Sequence, residues 1–250
     1  MPPGPTGCAT VVVNATSRVR GLEGLDERVE VVRGRLDGPV EVPMNGALYL
    51  ADVEGGQKTG LYYDQRENHA FARRIARGAR VLDVFAHVGG FGLAALAGGA
   101  EAVVAIDSSA PALALAGEAA GRMGVAARYD ARQSDAFRAL EVMQGERFDI
   151  VVCDPPAFAP AKQAVQAGLR AYERLARLAA PLVAPGGILA LCSCSHAVGV
   201  DAFHRACVAG LRKAGRGGAL VRSGRAGPDH PVHVGLPETG YLKALFYRLD

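Results

Sequence analysis

Val81-Leu82-Asp83-Val84-Phe85-Ala86-His87-Val88-Gly89-Gly90-Phe91-Gly92 is the stretch that decides how this chain folds. A short apolar run, Val81 to Phe85, carries one acid and enters a glycine-rich turn, after which Gly90 to Gly98 reads as an Ala/Leu helix. Glycines let backbone N–H groups come close to a ligand, and a helix N-terminus at the same place favours an anion. The glycines do not have the G-x-G-x-x-G spacing of a dinucleotide site.

Working outward, the same rhythm continues to the C-terminus. Downstream, strands are expected at Ala102 to Ile106, near Ala127 to Asp130, at Phe148 to Cys153, at Ile188 to Cys192, near Leu220 and at Tyr241 to Leu249. Helices are expected at Pro111 to Met123, from Ala136, from about Gln163 to Leu182, and at Val200 to Lys213, with Pro185-Gly186-Gly187 stopping the long one. Upstream, Arg66 to Ile75 reads as a short amphipathic helix. Before it, only brief β-like runs stand between Gly, Pro and charges: Thr10 to Val13, Val29 to Val32 and Ala47 to Val53. The expected organisation is a small β-rich element over 1–62 and an α/β domain over 63–250. Apolar strands alternating with helices mean a mostly parallel sheet covered on both faces, with ligands at the carboxyl ends of its strands.

That rule directs attention to the strand-end residues. The second strand closes on Asp107, where a carboxylate can accept both hydroxyls of a ribose. The third closes near Ser134-Asp135, placed to accept from a purine amine. A single strand-end Asp more often caps a helix than holds a ligand. In order on consecutive strands, however, Asp83, the turn with Phe85 and Gly89, Asp107 and Asp135 match the binding pattern for S-adenosylmethionine. The fourth strand ends in Cys153-Asp154-Pro155-Pro156-Ala157-Phe158, a rigid extended turn that aims Asp154 into the site. A planar base stacked by Phe158 and hydrogen-bonded by Asp154 suits it. The fifth ends in Cys192-Ser193-Cys194-Ser195-His196; Cys192 reads as core and Cys194 as a nucleophile if its pKa is lowered.

Composition narrows the classes. Half the residues are hydrophobic and the net charge is only +3, so the chain folds around a core and does not grip a polyanion by overall charge. Arg18 and Arg20, the arginines at 73, 74, 77 and 80 and the basic residues at 212, 213, 216, 222 and 225 could meet RNA phosphates but, scattered like this, read mainly as a solvated surface. Five cysteines without paired C-x-x-C spacing argue against a disulfide framework or a zinc ribbon, so no metal is expected and a reducing cytoplasm is. No basic leader and no apolar run of about 20 residues is present, so no membrane partner is expected. Asp229-His230 beside Ser195 does not make a hydrolase, for there is no G-x-S-x-G elbow.

From about Arg20 onward the chain resembles the RlmI-like class I S-adenosylmethionine-dependent methyltransferases, a family of 23S rRNA (cytosine-C5) methyltransferases. The segments that carry the likeness are Glu23-Gly24-Leu25, Gly56-Gln57-Lys58-Thr59-Gly60, Tyr63-Asp64-Gln65-Arg66 and His87-Val88-Gly89-Gly90-Phe91. Asp154-Pro155-Pro156-Ala157-Phe158, Ser193-Cys194-Ser195, Pro228-Asp229-His230-Pro231 and Tyr241-Leu242-Lys243 complete them. The resemblance implies a Rossmann-like, seven-stranded fold, S-adenosylmethionine as cofactor and RNA, 23S rRNA in first place, as partner. Cys194 would add to C6 of cytosine, with Asp154 holding the base at N3 and its amino edge. Pro155, Phe158, Ser193 and Ser195 would line the substrate side. Asp64, Arg66 and Lys58 would join the cofactor side, the Arg66 guanidinium pairing the methionine carboxylate.

Departures are visible. Family members usually open with an RNA-binding PUA domain, for which there is no room before residue 20; His87 replaces a common Tyr; Ala119 and Met123 stand where asparagines are usual. Two other readings stay open: methylation of an exocyclic base nitrogen, and a non-catalytic RNA-binding or ribosome-assembly protein retaining the fold. A homodimer is an open assembly.

Overall fold

The computed structural model describes residues 7–16, 19–22, 24–55 and 60–250. In chain order the elements are β1 (Val11–Ala15), α1 (Val19–Leu22), β2 (Arg28–Arg33), β3 (Val40–Met44), β4 (Ala47–Ala51), α2 (Arg66–Ile75), β5 (Arg80–Val84), α3 (Gly90–Ala97), β6 (Ala102–Asp107) and α4 (Ala110–Arg122). They continue with β7 (Tyr129–Gln133), α5 (Ala136–Val142), β8 (Phe148–Cys153), α6 (Val165–Ala179), β9 (Val183–Ser193), α7 (Val200–Lys213), β10 (Gly218–Gly224) and β11 (Lys243–Leu249).

Seven strands form one sheet in the order β10-β11-β9-β8-β5-β6-β7. The five from β9 to β7 are parallel, and β11 and β10 add antiparallel at one edge. Successive side chains of β5 face opposite ways, as the pleat requires. Leu82 and Val84 pack with Val151, Leu189 and Leu191 against Leu140, Tyr172, Leu175 and Phe203 of α5, α6 and α7. Val81 faces the other side, where Ile150, Val152 and Phe246 meet Phe91, Leu93 and Leu113 of α3 and α4. Burying a Leu or Phe side chain fully is worth about 1.5–3 kcal/mol, so these two layers hold the sheet rigid beneath its loops.

The N-terminal strands form two separate hairpins, β1 with β2 and β3 with β4. Tyr49, Leu50 and Ala51 of β4 are fully buried in the same core as Phe91 and Leu93, so this hairpin is seated on the α3/α4 face of the sheet.

Several expected boundaries move. The third parallel strand spans Tyr129–Gln133, because Ala126–Arg128 is a 3-10 turn that Arg128 pins by donating to the Ala100 carbonyl at 2.8 Å. Helix α6 ends at Ala179, and a 3-10 turn over Ala180–Leu182 leads into β9. Pro185-Gly186-Gly187 therefore lies inside β9 and does not end a helix; the pairing with β8 slips there, and Gly186 takes φ +75°. The last strand begins at Lys243, leaving Tyr241 and Leu242 in the preceding loop. β3 lies where no strand was expected.

Candidate active site

A cavity of about 970 Å³ opens at the carboxyl ends of the parallel strands. Its walls come from the turn after β5 (Phe85, His87, Gly90), the end of β6 (Asp107, Ser109) and the end of β8 (Asp154, Pro155). Cys194 after β9, the Tyr62 to Gln65 segment and Tyr241 close it.

The turn after β5 is strained. Phe85 and His87 have φ +64° and +50°, left-handed values that cost L-residues about 1–2 kcal/mol each, and Gly89 follows at +80° as the N-cap of α3. The surroundings hold it in place. Asp107 accepts from His87 N and Ser109 N, each at 2.8 Å, and Asp83 accepts from Gly92 N at 2.8 Å. Asp83 lies beneath the turn, 1% exposed, and its desolvation, opposed by the Gly92 N–H, raises its pKa to about 7.

Facing this turn, Asp64 is buried and accepts from the Tyr241 hydroxyl at 2.6 Å. Tyr62 is the hub of the cavity: burial first, then the charges of Asp154, Cys194, Asp64 and Asp107, raise its phenol pKa. The ring of His87 meets Tyr62 edge-on at 5.2 Å. His69 stands on the edge of Phe91 at 4.5 Å, and burial lowers its pKa to about 3, so its imidazole is neutral.

On the other side of the cavity Cys194 is half-buried. Cys153, Cys192 and Cys207 are buried, and desolvation raises each thiol pKa, which makes them inert. Cys8 is exposed and remote in sequence. Among the described cysteines, Cys194 is thus the one that opens on the cavity. Its neighbours are fixed by a hydroxyl network. Ser193 Oγ donates to Tyr172 Oη at 2.8 Å, the Tyr172 and Ser195 hydroxyls share a bond of 2.8 Å, and Ala159 N donates to Ser195 Oγ at 3.1 Å. This ties the loop after β9 to the loop that carries Asp154.

Of the residues expected from sequence, Asp64, Phe85, Asp107, Asp154, Pro155 and Cys194 meet at the cavity. Asp83 and Gly89 support the turn from behind. Asp135 is not among the residues that line the cavity: it is exposed and accepts from Arg138 N at 2.9 Å as the N-cap of α5. Phe158 packs on Phe85, Phe137 and Tyr172 behind the cavity wall. Ser193 and Ser195 are fully buried in the Tyr172 network, and Arg66 is paired with Asp229 at 3.3 Å, so none of the three lines the cavity. Lys58 lies outside the described residues. Tyr62, His69 and Tyr241 were not singled out; the only signal was their place in or beside segments with family likeness.

The residues present fit an adenosyl amino acid. Asp64 Oδ1, Gln65 Nε2, His69 Nδ1 and His87 Nδ1 are buried without a hydrogen-bond partner among the described residues, a mixed set that suits an ammonium and a carboxylate together. Asp107, with Pro111, Ala112 and Leu115 beyond it, offers an acceptor next to an apolar slot. Among the described residues no cluster of three or more His, Cys, Asp or Glu is placed to hold a metal ion, and no helix is long and apolar enough to cross a membrane.

The family model for S-adenosylmethionine-dependent methyltransferases matches residues 24–246. The chain is 37% identical over 234 residues to ribosomal RNA large subunit methyltransferase I of Aeromonas salmonicida, covering 92% of this chain and 59% of that protein. It is 38% identical over 231 residues to the protein of the same name from Vibrio cholerae, covering 90% and 58%. The chain therefore spans about three fifths of the length of the curated relatives it matches. Among solved structures it is similar in fold to SMU.776 complexed with SAH, with TM-score 0.78 and 22% identity over 88% of this chain and 58% of the other. It is also similar to the SAM-dependent methyltransferase from Agrobacterium tumefaciens, with TM-score 0.65 and 19% identity over 90% and 74%.

Proposed function

From the premise that the chain belongs to the S-adenosylmethionine-dependent methyltransferases, we propose that it methylates C5 of a cytosine in large-subunit ribosomal RNA. The observation that carries this reading is that Cys194 and Asp154, leaving the neighbouring parallel strands β9 and β8, line one cavity with the Asp107 turn. An RNA of that kind places the enzyme in the cytoplasm with the ribosome.

Asp64, Gln65 and His87 would hold the amino-acid end of the cofactor, and Asp107 the ribose. When bound, S-adenosylmethionine supplies a methyl group on a sulfonium, a good leaving group as the neutral thioether. The chain must supply the activation, because C5 of cytosine is a poor nucleophile. The Cys194 thiolate forms a bond to C6, which moves the C5–C6 electron pair onto C5. Asp154 accepts from the amino edge through one carboxyl oxygen and donates a proton to N3 through the other as negative charge builds on the ring, a preorganised role, and takes that proton back when the adduct collapses. After C5 has gained its methyl group, loss of the C5 proton and cleavage of the Cys194–C6 bond restore the aromatic base and return the thiolate.

The test is mass-spectrometric mapping of modified nucleosides in rRNA from cells with and without the gene. Loss of one 5-methylcytidine from the large-subunit RNA is expected. An unchanged 5-methylcytidine set, or loss of an N-methylated base, would overturn the assignment.

A further inference from the structure

Among the described residues, Lys243 is a buried cation with no carboxylate paired to it. It lies on β11 directly across from Ser193 on β9 and is 6% exposed. Its Nζ donates to the carbonyls of Ser195 at 2.7 Å and Val198 at 2.8 Å, so one ammonium clamps the chain that leaves Cys194. Among the described residues no carboxylate lies within ion-pair distance of it. Two carbonyl dipoles orient an ammonium but do not neutralise it, and a buried charge without a counter-charge is costly.

The bond from Lys243 Nζ to the Ser195 carbonyl places the ammonium beside the residue that follows Cys194, and the negative form of the Cys194 thiol favours the charged lysine. We propose that Lys243 is the counter-charge and positioning residue of the Cys194 thiolate. The proposal rests on the catalytic reading of Cys194 given above. The interaction is reciprocal, so what the thiolate does for the ammonium the ammonium does for the thiolate. It has to act against the other groups around the thiol. Asp64 and Asp154 line the same cavity and oppose a second negative charge, while Tyr62, Tyr172 and Tyr241 interact with it from three further elements. His196 also lines the cavity, beside Tyr241. Among the described residues Lys243 is a cation of this group at neutral pH, its pKa lowered by burial to about 8. The thiol proton goes to solvent, Lys243 keeps its own, and no electron changes hands.

The test is the pH profile of alkylation of Cys194 by iodoacetamide in the full chain, read by peptide mass with exposed Cys8 as the internal reference. In the wild type the Cys194 midpoint is expected below that of Cys8. In Lys243→Met and in Lys243→Gln, which keeps an N–H donor for the two carbonyls, it is expected to rise by about one pH unit while Cys8 stays put. The rate at pH 7 then falls by roughly threefold, since a tenfold smaller thiolate fraction is partly offset by the greater nucleophilicity of a more basic thiolate. A wild-type Cys194 midpoint above that of Cys8 would overturn the proposal with no variant needed. So would an unmoved midpoint in either variant with native circular dichroism. Alkylation needs no methyl transfer, so the two readings fail separately: a shifted profile with full turnover in Cys194→Ala removes the C5 mechanism, and an unshifted profile with no turnover in Cys194→Ala removes only the role of Lys243.

Discussion

Asp83→Asn should stabilise the free protein, and by an amount that grows with pH. Asp83 is 1% exposed, and its carboxyl pKa rises from 3.8 to about 7 in the fold because burial outweighs the Gly92 N–H. The folded state therefore binds a proton that the unfolded chain has already lost. Stability falls as pH climbs from 3.8 to about 7 and is level above it. At about 1.4 kcal/mol per pH unit, the penalty is roughly 1.6 kcal/mol at pH 5 and about 4 kcal/mol at pH 8. Asparagine has the same shape, keeps an acceptor for Gly92 N and carries no charge at either pH. Its advantage over the wild type should thus be larger at pH 8 than at pH 5 by roughly 2.7 kcal/mol, or about 5–11 °C in thermal midpoint for a chain of this size. The assay is differential scanning fluorimetry of both proteins without cofactor across pH 5 to 8. An advantage that does not change with pH, or a variant less stable than wild type at pH 8, would refute the reasoning.

Two further substitutions probe the walls of the cavity. Asp107→Ala leaves the N–H groups of His87 and Ser109 without their acceptor and frees the strained turn. It should cost about 1–3 kcal/mol in stability, and calorimetry should show weaker S-adenosylhomocysteine binding; wild-type affinity would remove Asp107 from the cofactor side. Tyr172→Phe deletes the hydroxyl shared by Ser193 and Ser195 and should cost a similar 1–3 kcal/mol by urea denaturation, with slower methyl transfer because Cys194 sits between those serines. An unchanged midpoint would show that the network is not holding the loop.

The strand-end residues were legible in the sequence because a parallel sheet sends its ligand-facing residues to the carboxyl ends, and Asp107, Asp154 and Cys194 are there. Asp135 shows the limit of that rule. The residue type that closes a strand to meet a ligand is the same one that opens a helix, and only the Arg138 N–H in place tells them apart. Strand β3 was missed because Pro43 interrupts a five-residue run, which is tolerable at the free edge of a two-stranded hairpin. Strand β7 has no buried residue to mark it, so its register appears only when it pairs with β6. The contact between Tyr241 and Asp64 joins residues 177 positions apart, and the clamp of Lys243 on Ser195 and Val198 depends on an antiparallel pairing. Neither leaves a local pattern in the chain.

The central claim is a covalent bond between Cys194 and C6 of cytosine, and it can be trapped. Fluorine at C5 cannot leave as a proton does, so a large-subunit RNA fragment carrying 5-fluorocytidine should arrest the enzyme after methyl transfer. With S-adenosylmethionine present, peptide mass spectrometry should find the nucleotide on Cys194, and Cys194→Ala should give neither adduct nor 5-methylcytidine. Methyl transfer by Cys194→Ala at the wild-type rate, with no adduct on the wild type, would contradict the account.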